Sequence, residues 1–334
     1  MSDVSLNSPT LGVLVPCFNE AQVLPETASR LQKLLSGMRA DGLVSNDSRV
    51  VFIDDGSRDG TWQKIEELSN EAADICGIKL SRNSGHQNAL LCGLLTAPGD
   101  ILISVDADLQ DDLQVIPDMV RHYRDGCDVV YGVRKNRERD AFFKRMTAEL
   151  YYKFMIAMKV DIIFNHADYR LLSRRAVESL SEYREVNLFL RGLVRLLGYQ
   201  SAIVEYDRAE RYAGESKYPL RKMLSFAWQG VTSFSTYPLK IITAMGFIFS
   251  FLSGVLAAWG MFSSLIMGVT LPGWTSTVVP MYFLGGIQLL SLGVIGEYIS
   301  KLYLESKARP RFHIDKFAGS GLIHGPRESL GTKV

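Results

Sequence analysis

The hydrophobic and polar positions divide the chain into an alternating first part and an apolar last part. In the first part, short apolar runs alternate with longer segments that have helical periodicity. The apolar runs are LGVLVPCF, RVVFIDDGS, GIKLSR, DILISVDAD and DVVYGVR, and the helical segments are Glu20–Met38, Gly60–Ala73, His86–Leu95 and Leu113–Arg124. This alternation predicts an α/β domain, residues 1–218, with a mainly parallel sheet and crossover helices.

The apolar last part has the composition of a membrane region. Ile241 to Gly296 is a stretch of 56 residues without one Asp, Glu, Lys or Arg. We predict two transmembrane helices, 241–267 and 280–299, because about 20 apolar residues cross a bilayer. The intervening Gly268–Pro280 is rich in proline and threonine and predicts a turn. The alternative is a helical hairpin inside a soluble core, where helices rarely have such length without charge.

The charges that flank this region predict its orientation. Lys240 precedes the first span, Lys301 and Lys307 follow the second, and the connection carries no charge. By the positive-inside rule, both ends lie in the cytosol. The N-terminus lacks the basic start and apolar core of a signal peptide. We therefore expect a multi-pass protein of the inner (plasma) membrane, with the catalytic domain, both termini and the 305–334 tail in the cytosol.

Two segments before the hairpin are amphipathic, 141–159 and 219–238. In the first, Arg145, Glu149 and Lys153 fall four residues apart on one helical face, opposite an apolar face. Such helices lie in the lipid interface or pack on the catalytic domain, and the pattern leaves both open. Their position just before a membrane hairpin favours the interface.

Charge and cysteine content exclude two function classes. The net charge of +1 shows no basic excess of the kind that nucleic-acid binders concentrate. The four cysteines show no CxxC spacing, so a zinc or disulfide framework is not expected.

Polar clusters follow the predicted strands and indicate where a site forms. Ligands of such sheets bind at the carboxyl ends of the strands, so clusters at several strand ends predict one common site. The clusters are Pro16–Glu20, Asp54–Gly60, Arg82–His86, Asp106–Asp112 and Arg134–Arg139.

Two of these clusters carry recognisable chemistry. In VDADLQDD, the carboxylates of Asp106 and Asp108 and the amide of Gln110 are the hard oxygen ligands that Mg²⁺ or Mn²⁺ shares with substrate phosphates. In FIDDGSRDGT, Asp55 is placed to accept hydrogen bonds from a base or ribose. An ordinary turn in which Asp59 or Thr61 caps a helix explains that second motif equally well.

The order of the motifs resembles a known family. VPCFNE, VFIDDGSRDGT, RNSGHQNALLCG, VDADLQDD, DVVYGVR, ADYRLLSRRAV and RYAGESKYPLRKM follow one another as in family 2 glycosyltransferases with a GT-A fold. With its trailing apolar helices, the chain is most similar to bacterial bactoprenol (undecaprenyl-phosphate) glucosyltransferases. It is more distantly similar to dolichyl-phosphate mannose synthases. The resemblance covers nearly the whole chain except the end of the tail.

The resemblance implies a role for each matched position. Those on the donor side are the nucleotide-binding residues Pro16, Phe18, Glu20, Asp55 and Asp106, the Mg²⁺ or Mn²⁺ ligands Asp106, Asp108 and Gln110, and the diphosphate-binding residues Arg211 and Lys217. Those on the acceptor side are the phosphate-binding residues Arg134 and Arg145 and the acidic Asp168, which with Asp108 is the implied catalytic residue.

The implied reaction is inverting transfer of a hexose, glucose from UDP-glucose being favoured, to undecaprenyl phosphate. GDP-mannose or UDP-aminoarabinose as donor fits the same scaffold. A phosphate acceptor is already mostly dianionic near neutral pH, so Asp168 is expected to position it as much as to accept a proton. A processive polysaccharide synthase is the weaker alternative, since no QxxRW motif is present. A non-catalytic membrane subunit is another. Small residues such as Gly285 and Gly286 in the hairpin indicate a homo-oligomer.

Overall fold

The computed structural model describes residues 8–135, 166–186, 188–207, 232, 235–266 and 273–321. The described residues form two compact units. The first holds those up to Asp207 and from Ala308 onward, and the second those from Thr232 to Lys307. The predicted amphipathic segment 141–159 lies outside the described residues, as does most of 219–238.

The first unit is built around one sheet of eight strands. The strands are β1 (Leu11–Cys17), β2 (Arg49–Asp54), β3 (Ile75–Leu80), β4 (Ile101–Ser104), β5 (Val129–Arg134), β6 (His166–Ser173), β7 (Ser201–Tyr206) and β8 (Ile314–Ala318). Their spatial order is β7-β5-β6-β4-β1-β2-β3-β8.

The centre of the sheet is parallel, as the sequence predicts. Strands β4, β1, β2 and β3 are parallel neighbours, and β5 is parallel to β7. Strand β6 joins the two parallel sets by antiparallel pairing with both β4 and β5. All seven residues of β1 are buried, which explains its continuous apolar run, because helices cover both faces of such a sheet.

Six helices accompany the sheet in the described part of the first unit. They are α1 (Leu24–Ala40), α2 (Thr61–Glu71), α3 (His86–Thr96), α4 (Ile116–Arg124), α5 (Arg174–Ser181) and α6 (Leu190–Leu196). The four predicted crossover helices are confirmed with shifted ends. Helix α1 begins at Leu24 rather than Glu20, because the Glu20 carbonyl closes a turn by accepting from the amides of Val23 and Leu24. A 3₁₀ turn, Leu113–Val115, precedes α4.

The second unit contains two long helices, α7 (Tyr237–Ile266) and α8 (Trp274–Ser306). Large apolar side chains point outward from both: Phe247 and Phe251 are 75% and 77% exposed, and Leu289 is 73% exposed. Among the described residues, one stretch, Phe283–Ser306, is long and apolar enough to cross a membrane. Tyr237–Phe249 is a shorter apolar helical stretch. The two-span hairpin therefore stays a prediction.

The predicted turn at 268–280 is wrong in its second half. Helix α8 begins at Trp274 and contains Pro280 in its seventh position. Proline removes one backbone donor from a helix, and apolar helices tolerate this where neighbouring groups satisfy the freed carbonyl.

Strand β8 is an element that the sequence analysis did not anticipate. The segment Ile314–Ala318 pairs antiparallel with β3, and the Ser81 amide donates to the His313 carbonyl just before it. The chain therefore returns from the helices of the second unit to complete the sheet of the first.

Candidate active site

The loops that follow β1 and β2 are joined by hydrogen bonds. The Asn19 amide donates to Ser57 Oγ at 2.9 Å, and the Asn19 side-chain oxygen accepts from the Arg58 amide at 2.9 Å. The Glu20 amide donates to Thr61 Oγ1 at 2.9 Å. Asn19 adopts φ +57°, a left-handed conformation that asparagine tolerates. These bonds fix the loop on which the predicted nucleotide residues Phe18 and Glu20 lie.

The predicted nucleotide residues differ in accessibility. Pro16 is in β1, opposite Ile53 of β2, and Phe18 is 43% exposed at the carboxyl end of that strand. Asp59 accepts from the amide of Thr61, the first residue of α2, but the N-cap is Gly60, so neither Asp59 nor Thr61 caps the helix as the turn interpretation predicts. Phe18 and Glu20 thus lie on the rim, where the nucleotide site was predicted.

Asp55 is a buried residue that connects two loops. Its two carboxylate oxygens accept from the amides of Ser84 and Gly85 at 2.7 and 2.9 Å, and it is 3% exposed. Burial raises the pKa of Asp55 against the opposing effect of these hydrogen bonds. Asp55 therefore holds the start of α3 against the β2 loop, and its predicted contact with the base stays a prediction.

The acidic loop after β4 concentrates negative charge. The Asp106 side chain is 39% exposed, and Asp108 accepts from the Gln110 amide at 3.2 Å within the loop. The pKa of Asp106 is raised to about 6. Loss of water around the carboxyl is the largest cause, His86 opposes it, and the charges of Asp111, Asp168 and Asp108 add to it.

A divalent cation fits the chemistry of this loop. Two carboxylates and an amide are oxygen donors of the kind Mg²⁺ and Mn²⁺ prefer, and a cation would offset the negative charge that Asp111, Asp168 and Asp108 concentrate around Asp106. Among the described residues, no group of three or more His, Cys, Asp or Glu side chains is arranged to hold a metal alone. The proposed set of Asp106, Asp108 and Gln110 would therefore depend on substrate oxygens to complete its coordination.

Asp168 is held by two arginines from different elements. Arg170 Nη2 donates to Asp168 Oδ1 at 2.5 Å. Arg191 uses both Nε and Nη2, which lie 3.1 Å from Oδ1 and Oδ2 respectively. Burial alone would raise the pKa of Asp168, but the charges of Arg191 and Arg170 outweigh it and hold the pKa far below the usual range. The arginines thus favour the ionised form of Asp168, in which it is a weak base.

A wider network fixes this pair of arginines. Arg170 is 2% exposed and donates through Nη1 to the Leu190 carbonyl at 3.2 Å. Gln87 donates to Asp168 Oδ2 at 3.2 Å and accepts from the Leu190 amide at 3.1 Å. The starts of α3 and α6 are therefore both connected to Asp168 on β6.

His86 lies between the two predicted carboxylates. Its Nε2 is 3.8 Å from Asp106 Oδ1 and 3.7 Å from Asp168 Oδ2, and the side chain is 42% exposed. The sequence analysis assigns no role to His86. The structure brings Asp106 and Asp168 to one place around it.

Arg134 belongs to a second cluster, with Tyr206 and Asp111. Arg134 Nε donates to Tyr206 Oη at 3.2 Å, and Nη2 lies 3.5 Å from Asp111 Oδ1. Tyr206 in turn donates to the same Asp111 oxygen at 2.5 Å. The other predicted phosphate-binding residues, Arg145, Arg211 and Lys217, lie outside the described residues.

Sequence reasoning missed five residues of the site: Gln87, Arg170, Arg191, Asp111 and Tyr206. Arg170 and Asp111 stand inside motifs already singled out, ADYR and VDADLQDD. Arg170 stands two residues after Asp168, and in a strand this spacing puts the two opposite charges on one face, which indicates an ion pair. Gln87 also stands inside one of those motifs, RNSGHQNALLCG, whereas Arg191 and Tyr206 lie outside them.

Comparison with known proteins gives consistent results. The model of "Glycosyl transferase family 2" matches residues 12–181. The chain is 48% identical to the uncharacterized glycosyltransferase YkoT of Bacillus subtilis (strain 168), over 92% of each chain. It is 38% identical to the bactoprenol glucosyl transferase of Shigella phage SfV, over 91% of this chain and 97% of that one. The prophage homolog of that enzyme in Escherichia coli (strain K12) is 37% identical, over 92% and 98%.

Solved structures with a similar fold are more distant in sequence. Glucosyl-3-phosphoglycerate synthase from Mycobacterium tuberculosis, solved with Mn²⁺, UDP and phosphoglyceric acid, is 19% identical with a TM-score of 0.46, over 68% of this chain and 78% of that one. Mannosyl-3-phosphoglycerate synthase from Rubrobacter xylanophilus is 15% identical with a TM-score of 0.45, over 71% and 75%.

The family model covers strands β1 to β6, the acidic loop and Asp168 together, and the relatives align along nearly their whole length. The α/β architecture predicted for a GT-A enzyme is present in the sheet described above. The chain belongs to glycosyl transferase family 2.

Proposed function

We propose that the chain transfers a hexose, glucose from UDP-glucose, to undecaprenyl phosphate with inversion at the anomeric carbon. Relatives named bactoprenol glucosyl transferase support the lipid acceptor, since they align with 91% and 92% of this chain. The observation that carries the proposal is the state of Asp168. A carboxylate held by two arginines is a weak base. Such a residue is sufficient when the acceptor is already ionised and does not have to give up a proton before it attacks.

The acceptor phosphate supplies its own nucleophile. A phosphate monoester has a second pKa of about 6, so it is mostly dianionic near neutral pH. A sugar hydroxyl, by contrast, needs a general base near the reacting oxygen. Asp168 and its arginines therefore act by holding and orienting groups around the reacting carbon. Arg134, at the end of β5, binds the acceptor phosphate, and guanidinium geometry suits this ligand.

On the donor side, the rim of β1 and β2 binds the nucleotide. Phe18 presents an exposed ring to the base, and Glu20 lies on the loop that the bonds to Ser57 and Thr61 fix. Asp106, Asp108 and Gln110 would hold Mg²⁺ or Mn²⁺. When bound, that ion neutralises charge on the leaving diphosphate.

Inversion follows from a single displacement. The acceptor oxygen attacks the anomeric carbon, the bond to the diphosphate breaks, and the nucleoside diphosphate leaves with the bonding electron pair. An α-linked donor then gives a β-linked lipid-phosphate sugar. A covalent sugar intermediate would need a nucleophilic carboxylate, and Asp168 is already engaged by Arg170, Arg191 and Gln87.

The second unit supports a lipid substrate. The outward-facing apolar side chains of α7 and α8 require a non-aqueous surrounding or partner, since monomeric soluble proteins rarely expose such surfaces. Lys240 precedes the first predicted span, and Lys301 and Lys307 follow the second. These features support an inner-membrane protein with two spans and a cytosolic catalytic unit. A homo-oligomer remains a prediction.

The test uses the purified full chain with undecaprenyl phosphate, Mg²⁺ or Mn²⁺ and a panel of labelled nucleotide-sugars. We expect label from UDP-glucose to enter the organic phase, and Asp108→Asn to abolish this transfer. Transfer from GDP-mannose or UDP-aminoarabinose instead would replace the donor and keep the reaction. Absence of any lipid product from protein that binds nucleotide would contradict the proposal and favour a non-catalytic membrane subunit.

A further inference from the structure

We propose that Asp111 and Tyr206 are positioning residues that hold Arg134 in place for the acceptor phosphate. The inference rests on the proposed function, in which Arg134 is the phosphate-binding group. It assigns to this reaction two side chains to which the family resemblance gives no role and which lie outside the Asp168 network.

The three side chains come from three separate segments. Asp111 is in the loop after β4, Arg134 is the last residue of β5, and Tyr206 is the last residue of β7. Arg134 and Tyr206 are register partners in the sheet, and the Lys135 amide donates to the Tyr206 carbonyl at 2.9 Å. The backbone therefore fixes Tyr206 beside Arg134 before any side chain is considered.

Asp111 is buried in an unfavourable way. Asp111 is 4% exposed, and the same carboxylate oxygen accepts from Tyr206 Oη and forms the ion pair with the Arg134 guanidinium. The second oxygen is buried without a hydrogen-bond partner among the described residues. A buried carboxylate that is only half satisfied lowers stability. Stability alone would thus favour a neutral group here, so the charge points to a functional role.

The arrangement leaves part of Arg134 available. Nε is directed to Tyr206 and Nη2 toward Asp111, while Nη1 makes no hydrogen bond within the described residues, and the side chain is 22% exposed. A free arginine loses much rotamer freedom when it binds a ligand. Asp111 and Tyr206 restrict that freedom beforehand and orient the remaining N–H groups. Asp111 also lies three residues beyond Asp108, so the loop with the predicted metal ligands positions the acceptor arginine as well.

Two conservative substitutions test this. Asp111→Asn keeps the shape and the oxygen that accepts from Tyr206 and removes the charge, and Tyr206→Phe removes only the hydroxyl. For each we expect KM for undecaprenyl phosphate to rise about tenfold, the equivalent of losing one charge-assisted hydrogen bond. KM for UDP-glucose and UDP affinity should stay within about twofold, since no donor contact changes.

The matched control is Asp112→Asn, which removes the adjacent charge from the same loop. Asp112 accepts from the Gln114 amide at 2.9 Å, and asparagine caps a helix equally well. This variant should keep the wild-type KM for both substrates. In an Arg134→Gln background, Asp111→Asn should add nothing further, because residues that act through one another are not additive.

Each outcome decides the inference. Equal acceptor KM values for Asp111→Asn and Asp112→Asn would overturn it, as would a parallel loss of donor affinity, which indicates general damage to the loop. If the wild-type chain makes no lipid product, the proposed function fails separately. Binding of farnesyl phosphate to the wild-type and variant proteins then decides: weaker binding by Asp111→Asn supports the positioning role, and equal binding contradicts it.

Discussion

Asp168 and Arg191 form a two-point ion pair, in which Nε and Nη2 each lie 3.1 Å from a different carboxylate oxygen. Such fork geometry is specific to arginine, because lysine offers a single charged point. The pair joins β6 to the start of α6. Together with Arg170, it keeps a carboxylate ionised that burial alone would favour in its neutral form.

Arg191→Lys should therefore lower kcat about 10- to 100-fold with little change in KM for the donor, since lysine can keep only one of the two hydrogen bonds that Arg191 makes to Asp168. Steady-state kinetics with saturating UDP-glucose measures this. Arg195→Lys, one turn further along α6, is the matched control and should keep wild-type kcat. Equal effects of the two substitutions would show that the ion pair has no special role.

Divalent-metal affinity should fall as the pH falls through about 6. The pKa of Asp106 is raised to about 6 in the metal-free protein, and its carboxyl must be deprotonated to bind a cation. Above that pH the affinity should level off, and below it the affinity should fall about tenfold per pH unit if one proton is released. Electron paramagnetic resonance measures Mn²⁺ affinity in titrations at pH values from about 5 to about 8, the range in which proteins are usually most stable. Affinity independent of pH would contradict the assignment of Asp106.

Gly56→Ala should destabilise the catalytic unit strongly. Gly56 has φ +67°, and a Cβ there would lie 2.5 Å from the Arg82 carbonyl carbon, so backbone must move. We expect a loss of more than about 3 kcal/mol in the free energy of unfolding. Gly42→Ala is the control: Gly42 has φ +63° but no atom within 4 Å of its Cβ position. It should cost about 1 kcal/mol, the conformational penalty alone. Chemical denaturation compares them, and equal losses would show that the contact with Arg82 is unimportant.

Removal of β8 should destabilise the sheet. A chain ending at Phe312 leaves the outer edge of β3 unpaired, and open edges promote aggregation. We expect its melting temperature to fall by at least about 5 °C. A chain ending at Gly321 keeps β8 and the Ser320 carbonyl that accepts from Arg49 Nη1 at 2.8 Å. That chain should melt as the full-length protein does. If both truncations melt alike, β8 does not contribute to stability.

The sequence predicted the parallel centre of the sheet well, because buried strands and crossover helices have different hydrophobic periods. It also located the acidic loop, because Asp106 directly follows an apolar run that predicts a strand. It did not predict β8, because Ile314–Ala318 is short and contains Asp315 and Lys316. A pairing with β3 more than 200 residues away leaves no local pattern.

The side chains that surround Asp168 could not be predicted from the sequence either. Gln87 is separated from it by 81 residues and Arg191 by 23, and only the fold brings them together. Motif order singled out Asp168 but did not distinguish a base from a fixed anion. The contacts of Asp168 with Arg170 and Arg191 bear on this, and they are visible only in the fold. Asp55 shows the same limit, because its role in joining two loops depends on amides from a neighbouring strand end.

Strand β8 also restricts how many times the chain can cross a membrane. Strands β7 and β8 belong to one sheet, and a bilayer cannot divide a sheet. The chain between Tyr206 and Ile314 must therefore start and finish on the same side, and it crosses the membrane an even number of times or not at all. If Phe283–Ser306 crosses, a second crossing lies between Tyr206 and Phe283. A reporter placed between Ile266 and Gly273 would then lie on the side opposite to one fused at either terminus.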